Sequence, residues 1–342
     1  AGREGGGGGE KSMKVEGEQA GIGDVDRGDL SGGHSCRWIF QSYMPSQWEY
    51  EWSVNIEMWH LDICKHSNRY AEDIHSWVQL ASRFTGAEFS EDFETQDWAV
   101  LDPARRVLSE YVFFRPCDGS YKIIPIEPLV GLTRHPWFCA TEGEHITDTS
   151  YLYLSSGIAA LNAAGSRRAI LFDLGAGLYQ NDTLFDSQKW FVDTFRKRGV
   201  EITDIFAWES RSLSPELVWL AVPAHLAAHY HWYNIAVDLN GSHARNPLNI
   251  LRQVAKAEDY VILKLNVDHP RLERDIMLEI IRDNSLHQLI DEIYFEHQLT
   301  SCRFPPCWQH YPPHIGCEET LLDAYYIYSQ LRLAGIFVHS WI

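Results

Sequence analysis

The second half of the chain is predicted to be an α/β fold, a mostly parallel sheet with helices on both faces. Three observations predict it. From Arg167 to the last residue, short apolar runs alternate with amphipathic stretches. Two of the runs, AILFDL and YVILKL, are nearly all apolar, as strands buried on both faces should be. The first run ends in a glycine turn, the usual hand-over from a strand towards a helix.

Each element has a local reason. RAILFDLGAG reads as a buried strand entering a tight turn. Ser187 to Gly199 is an amphipathic helix, with Asp186 or Ser187 as N-cap, Trp190, Phe191 and Phe195 on one face, and Gly199 as its stop. Ile202 to Glu209 is a second strand. SPELVWLA opens a helix with Pro215 at its first position, and Pro223 ends or kinks it. HWYNIAVDL is a third strand and Asp259 to Asp268 a fourth. Arg271 to Asp283 is a helix, with Leu272, Ile276, Met277 and Ile280 on one side and charges on the other. Leu289 to Leu299 is a fifth strand. Glu319 to Gly335 is a helix with a glycine stop, and IFVHSW a last strand.

Upstream, the character is different. Residues 1–36 are Gly-rich and acidic, with almost no large apolar side chains, and read as a disordered tail. Residues 37–165 are aromatic-dense and read as an N-terminal cap or flanking subdomain. Within them, Ala71 to Phe84 carries Ile74, Trp77, Val78 and Leu80 at helical spacing. Two apolar runs flank Cys117-Asp118-Gly119-Ser120, a hairpin turn. Residues 166–342 form the domain in which the chemistry is expected.

Composition excludes several classes. A hydrophobic fraction of 45% with 13 Trp, 16 Tyr and 15 Phe is ample for a packed core, so a wholly disordered chain is ruled out. The formal net charge of −18 gives no general attraction to phosphate backbones or anionic lipid, so no nucleic-acid partner is expected. No run reaches the roughly 18 apolar residues of a membrane span, and SYLYLSSGIAALNAAG is too short and too polar. A soluble chain is expected. Its seven cysteines form no CxxC pair, and reduced thiols are the simpler reading. The first residue is Ala rather than Met, which leaves room for a removed targeting segment and a destination in an organelle or secretory lumen; the compartment stays open.

In an open parallel sheet, ligands sit beyond the carboxyl ends of the strands. After the first strand come Asp173, Gly175, Ala176 and Gly177, where two glycines let backbone approach a ligand; after the second comes Glu209, a carboxylate able to accept from both hydroxyls of a ribose. A dinucleotide site would want a third glycine and its acid about 20 residues on. Here Gln180 holds the third position, and the acid follows Asp173 by 36 residues. A nucleoside ligand without phosphates fits better, and S-adenosylmethionine is the common one. A glycine turn that only joins strand to helix is the plainer alternative.

Read in order, FDLGAG, FAWE, YNIAVD, VILKLNVDHPRLE and IDEIYFEH resemble the FkbM-type methyltransferase domain, a branch of the class I S-adenosylmethionine-dependent methyltransferases, over about half the chain. The resemblance implies a Rossmann-like seven-stranded sheet with a reversed final hairpin, and methyl transfer to a hydroxyl oxygen of a small metabolite or sugar. Asp173, Gly175, Ala176 and Gly177 would line the methionine end of the cofactor, and Glu209 would hold its ribose. The family's fourth-strand motif, Lys-hydrophobic-Asp-hydrophobic-Glu-Gly, is here Lys264-Leu265-Asn266-Val267-Asp268-His269. That departure bears on catalysis more than on fold.

Methyl transfer to oxygen needs an aligned nucleophile and a destination for its proton. Asp268, His269, Glu296 and His297 stand at the strand mouths. His297 is the expected base, Asp268 orients substrate or base, and Lys264 completes the catalytic set; alternatively His297 is a polar strand end and Lys264 a buried ion pair with Asp268 or Glu296. Cys302, Cys307, His310, His314 and Cys317 crowd a proline-rich loop, but their spacing matches no zinc knuckle, and plain thiols or a disulfide are preferred to metal. A second reading of the whole is a catalytically inactive methyltransferase fold serving as a binding or structural subunit. It rests on the altered motif and on the aromatic-rich N-terminal half, which could present an interface to a protein partner.

Overall fold

The computed structural model describes residues 37–60, 71–86, 106–130, 148–154, 168–180, 187–241, 244–297 and 319–341. β1 (Ile39–Met44) leads through α1 (Gln47–Ser53), α2 (Ile56–His60) and α3 (Ala71–Gly86) to the hairpin of β2 (Ser109–Arg115) and β3 (Ser120–Ile126). These strands make a three-stranded antiparallel sheet in the order β1-β2-β3. Ser46 caps α1 by accepting from the Glu49 amide (3.0 Å). The hairpin turns where expected: Gly119 takes φ +72°, and Asp118 Oδ1 accepts from the Ser120 amide (3.1 Å). Cys117 in that turn is disulfide-bonded, which corrects the reading of reduced thiols. The five Cys and His residues of the proline-rich loop lie outside the described residues.

Three tryptophans of this region pack inward rather than face solvent. Trp48, Trp52 and Trp77 are buried, Trp48 edge-on to Trp77 at 6.1 Å and Trp77 edge-on to Tyr151 at 6.2 Å. They belong to the hydrophobic core. Composition changes near residue 165, yet both sides belong to one compact unit, Cys36–Ile342.

The remaining elements are β4 (Ala169–Leu174), α4 (Ser187–Lys197), β5 (Asp204–Trp208), α5 (Pro215–Ala221), β6 (Tyr230–Tyr233), α6 (Pro247–Val254), β7 (Tyr260–Leu265), α7 (Pro270–Arg282), α8 (Asn284–His287), β8 (Glu292–Phe295), α9 (Leu321–Leu333) and β9 (Phe337–Ser340). The six strands form one sheet in the order β6-β5-β4-β7-β8-β9, and every neighbouring pair is parallel. Every residue of β4, β5, β7 and β8 is buried, as layers of helix on both faces require. The fold is an α/β parallel sheet of Rossmann-like type. Gly199 (φ +79°) stops α4, with the Val200 amide returning to the Phe195 carbonyl (2.9 Å); Thr320 and Asp323 form a capping box on α9.

Three expectations change. Among the described residues the main sheet has six strands, and its last, β9, runs parallel to β8 after the 13-residue helix α9, where the resemblance implies a reversed final hairpin. The third strand ends at Tyr233 because the next side chain, Asn234, turns to bond neighbouring loops. The helix α6 was not anticipated, although Asn246 as cap and Pro247 at the first position announce it. Among the described residues, no helix is long and apolar enough to cross a membrane.

Candidate functional site

Strand order reverses between β4 and β7. From β4 the chain moves outward to β5 and β6, then returns to β7 on the other side of β4 and moves the opposite way. Beyond the carboxyl ends of such a pair lies the crevice in which open parallel sheets bind ligands. The register sets Asp173 of β4 between Ala207 of β5 and Lys264 of β7.

The two strand ends are pinned together. The Asn266 amide donates to the Leu174 carbonyl (3.0 Å). Gly175 follows with φ +82°, and a Cβ there would lie 1.6 Å from the Asn266 carbonyl oxygen. Only glycine permits this approach. Lys264 Nζ, nearly inaccessible, donates to the Gly175 carbonyl (2.6 Å) and lies 3.0 Å from Asp173 Oδ1. That last contact is an ion pair out of hydrogen-bond alignment, and neither Asp173 oxygen has a hydrogen-bond partner. Lys264 therefore pairs with Asp173, not with Asp268 or Glu296, and works behind the turn by holding its backbone. Sequence could not settle the partner, because strand adjacency decides it.

The glycine turn is occupied from within. The amides of Gly175 and Ala176 both donate to the Trp208 carbonyl (2.9 Å each). Gln188, in the first turn of α4, donates to the Ala176 carbonyl (3.2 Å) and accepts from the Tyr230 hydroxyl (2.8 Å). Gly177 (φ +61°) gives its amide to Glu209 Oε2 (3.1 Å). Glu209 is buried at the end of β5. Its Oε2 also accepts from Arg211 Nη2 (2.7 Å), and its Oε1 from the Arg211 amide (2.7 Å). Despite desolvation, these bonds hold its carboxyl below the usual glutamate range. Asn234 braces the loop, donating to the carbonyls of Glu209 (2.8 Å) and Arg211 and accepting from the Leu213 amide (3.2 Å). Trp208 is stacked on Tyr233 at 4.5 Å and bonded to the Ala244 carbonyl (2.9 Å), in the sheet's covering layer.

On the other side of the crevice, the mouths of β7 and β8 carry the acids and imidazoles. Asp268 is exposed and adopts φ +54°, alone among described non-glycine residues in the left-handed region. His269 caps α7, accepting from the Leu272 amide (3.2 Å). Glu273, on the inner face of α7, accepts from the Val267 amide (2.8 Å); its other oxygen is buried without a partner. Burial, with Glu296 and then Asp268 nearby, pushes its carboxyl up to about 8. His297 is buried against Phe295 and Tyr328, with ring centroids at 5.1 and 6.5 Å, and neither nitrogen has a partner. Burial pushes its imidazole down to about 4. Asp268 thus does not orient His297.

The structure brings Asp173, Gly175, Ala176, Gly177, Glu209 and Lys264 together, and places His297 and Asp268 at the neighbouring mouths without a bond between them. Sequence reasoning missed Arg211, Gln188, Asn234 and Glu273. Arg211 had a signal, lying two residues past Glu209; the others depend on tertiary approach. Among the described residues, no cluster of three His, Cys, Asp or Glu side chains could hold a metal ion. Comparison with known proteins finds no matching family model, no matching curated protein and no matching solved structure.

Proposed function

We propose that the chain is an S-adenosylmethionine-dependent O-methyltransferase of the FkbM kind, acting on a hydroxyl of a small metabolite or sugar. The observation that carries this reading is the Glu209 carboxylate, buried at a strand end beside the topological switch point and hydrogen-bonded to the amide of Gly177. A ribose diol is the ligand such a carboxylate suits. The turn argues equally against a dinucleotide. A pyrophosphate would need free turn amides, and those of Gly175 and Ala176 are given to Trp208.

When bound, S-adenosylmethionine supplies an electrophilic methyl group. The protein's part is placement: the glycine turn lies against the amino-acid end, and Asp173 and Lys264, both buried, keep that turn in register with β7. Asp268, exposed at the rim, orients the acceptor hydroxyl, whose proton passes to solvent; His297, buried and held down to about 4, is inaccessible to it.

A second reading, a binding subunit without the reaction, is favoured by one feature. Asn266 stands where the resemblance wants an acid, and its carbonyl is packed against Gly175. Calorimetric titration with S-adenosylmethionine separates the two. Binding by the native chain that falls at least tenfold in Glu209→Gln and Asp173→Asn supports the enzyme. A rise in melting temperature should accompany it, since ligand at about 100 times its dissociation constant adds about 2.7 kcal/mol. No heat and no thermal shift at millimolar ligand would exclude it.

A further inference from the structure

We infer that the outer face of the N-terminal sheet is a self-association surface, on which a second copy of this chain packs sheet against sheet. The inference is independent of the chemistry proposed for the strand mouths.

The register of β1, β2 and β3 sets nine side chains on that face in three rows: Ile39-Phe114-Tyr121, Ser42-Val112-Ile123 and Met44-Glu110-Pro125. Seven of these nine are apolar. The alternate residues Tyr43, Tyr111, Phe113, Ile124 and Ile126 are buried on the inner face. An antiparallel sheet with one wet side alternates apolar-in with polar-out. This sheet is apolar on both sides, the pattern of a layer packed between two others. Its outer side nevertheless meets water: Ile39 is 49% exposed, Met44 42%, Tyr121 67% and Ile123 40%. Phe114 and Tyr121 already join across the strands, ring centroids 5.0 Å apart, so the exposed groups form one patch. The face's acid, Glu110, stands in an end row, at the rim of such a contact rather than its centre.

Charge and area select the occupant. At a formal net charge of −18, two copies repel over most of their surface. Residues 37–44 and 109–126 carry three cations (Arg37, Arg115, Lys122) against two acids (Glu110, Asp118), a net +1, so a second copy meets least repulsion here. Four of the apolar side chains expose about half of roughly 150–250 Å² each. With the partly exposed Val112, Phe114 and Pro125, the face offers roughly 500 Å² per copy. Two faces bury about 1,000 Å², the floor for a specific contact, which makes a reversible dimer rather than an obligate one.

The test is sedimentation velocity of the full chain from about 1 to about 200 µM, at low and high salt. A monomer–dimer equilibrium should appear within that range and tighten as salt screens the repulsion between copies. Tyr121→Ser with Ile123→Thr, exposed neutral replacements, should weaken it at least tenfold and leave the melting temperature of the dilute chain unchanged. Leu220→Ser on α5, where the side chain is 83% exposed, should leave it intact. A monomer at every concentration overturns the inference. So does a dimer that survives the double variant, one lost in Leu220→Ser, or one that salt dissolves.

Discussion

Two buried polar regions of this molecule treat charge in opposite ways. Beneath the N-terminal sheet, Glu49, Glu127 and Glu292 face Arg198, Arg332 and His339, all of them buried. His339 lies between Glu127 (2.7 Å) and Glu292 (3.0 Å), Arg198 meets Glu292 (3.0 Å), and Arg332 reaches Glu127 (3.6 Å) and Glu49 (3.9 Å). Tyr43 and Ser109 add hydroxyl donors to Glu49. Three carboxylates balance three cations, and the bonds run from α1 and the end of β3 to β8, β9 and α9. At the strand mouths, burial is as complete, yet both oxygens of Asp173, one of Glu273 and both nitrogens of His297 have no hydrogen-bond partner. Unsatisfied buried groups are costly; the network carries one such atom, Arg198 Nε, against five at the mouths, so the mouths hold the larger share of unmet polar capacity. The network is scaffold. The mouths are where a ligand is expected.

The largest expected effect is on the scaffold. Arg332→Met leaves Glu49 and Glu127 buried without their arginine and should cost about 3–5 kcal/mol, read from the midpoint of urea unfolding. A loss under about 1 kcal/mol would show that the network is not holding the two sheets together. Next in size is Glu209→Gln at the mouth. Stability should fall by about 1.5–3 kcal/mol, because one of the two oxygens that accept from Gly177 and Arg211 is replaced by a donor, and nucleoside affinity should drop at least tenfold.

The two buried histidines sharpen the contrast, because their pH dependences have opposite sign. His339 is raised by its carboxylate partners. Its contribution is complete below the unfolded value of about 6.5 and disappears as pH rises through the higher native value. The stability difference between the native chain and His339→Gln should therefore narrow on going alkaline. His297 is depressed to about 4. Between about 6.5 and 4 the unfolded chain takes up a proton that the native one refuses, so stability falls as pH drops, and His297→Phe should remove that slope. Unfolding curves at several pH values decide, and a common slope for both residues would erase the distinction. Glu273, raised to about 8, adds a third titration, with the sign of His339. Its neutral form favours the native state below the unfolded value of 4.5, and that advantage is lost as pH rises towards 8. Glu273→Gln, which keeps an oxygen for the Val267 amide, should melt at or above the native chain at about pH 9.

How much of this was legible depends on what each residue reports. Strands β4 and β7 could be read because two-sided burial leaves a continuous apolar run, and α7 because its apolar residues recur at helical spacing. Strand ends could not. Asn234 looks like one more residue of an alternating strand until its amide is seen bracing two loops. The fifth strand begins late because Leu289 and Ile290 still give their amides to Leu286 at the end of α8. The site was half legible. Asp173, Glu209 and the glycines follow from the rule that strand ends bear ligands. The Asp173–Lys264 pair and the reach of Arg211 depend on which strands lie side by side, and nothing local encodes that. The direction of the last strand was not legible either: β9 pairs parallel with β8, and strand direction is set by tertiary pairing rather than by its own residues.

Gly175 has a mechanical consequence. With the Asn266 carbonyl oxygen 1.6 Å from where a Cβ would stand, the ends of β4 and β7 are clamped in contact, and the floor of the crevice behaves as a fixed jaw. The loop from Glu209 to Leu213, on the β5 side, is braced by the Asn234 bonds and carries the exposed Arg211 side chain. Substitution is therefore refused at Gly175, where backbone would have to part, and is borne more readily at the Arg211 side chain, which reaches solvent.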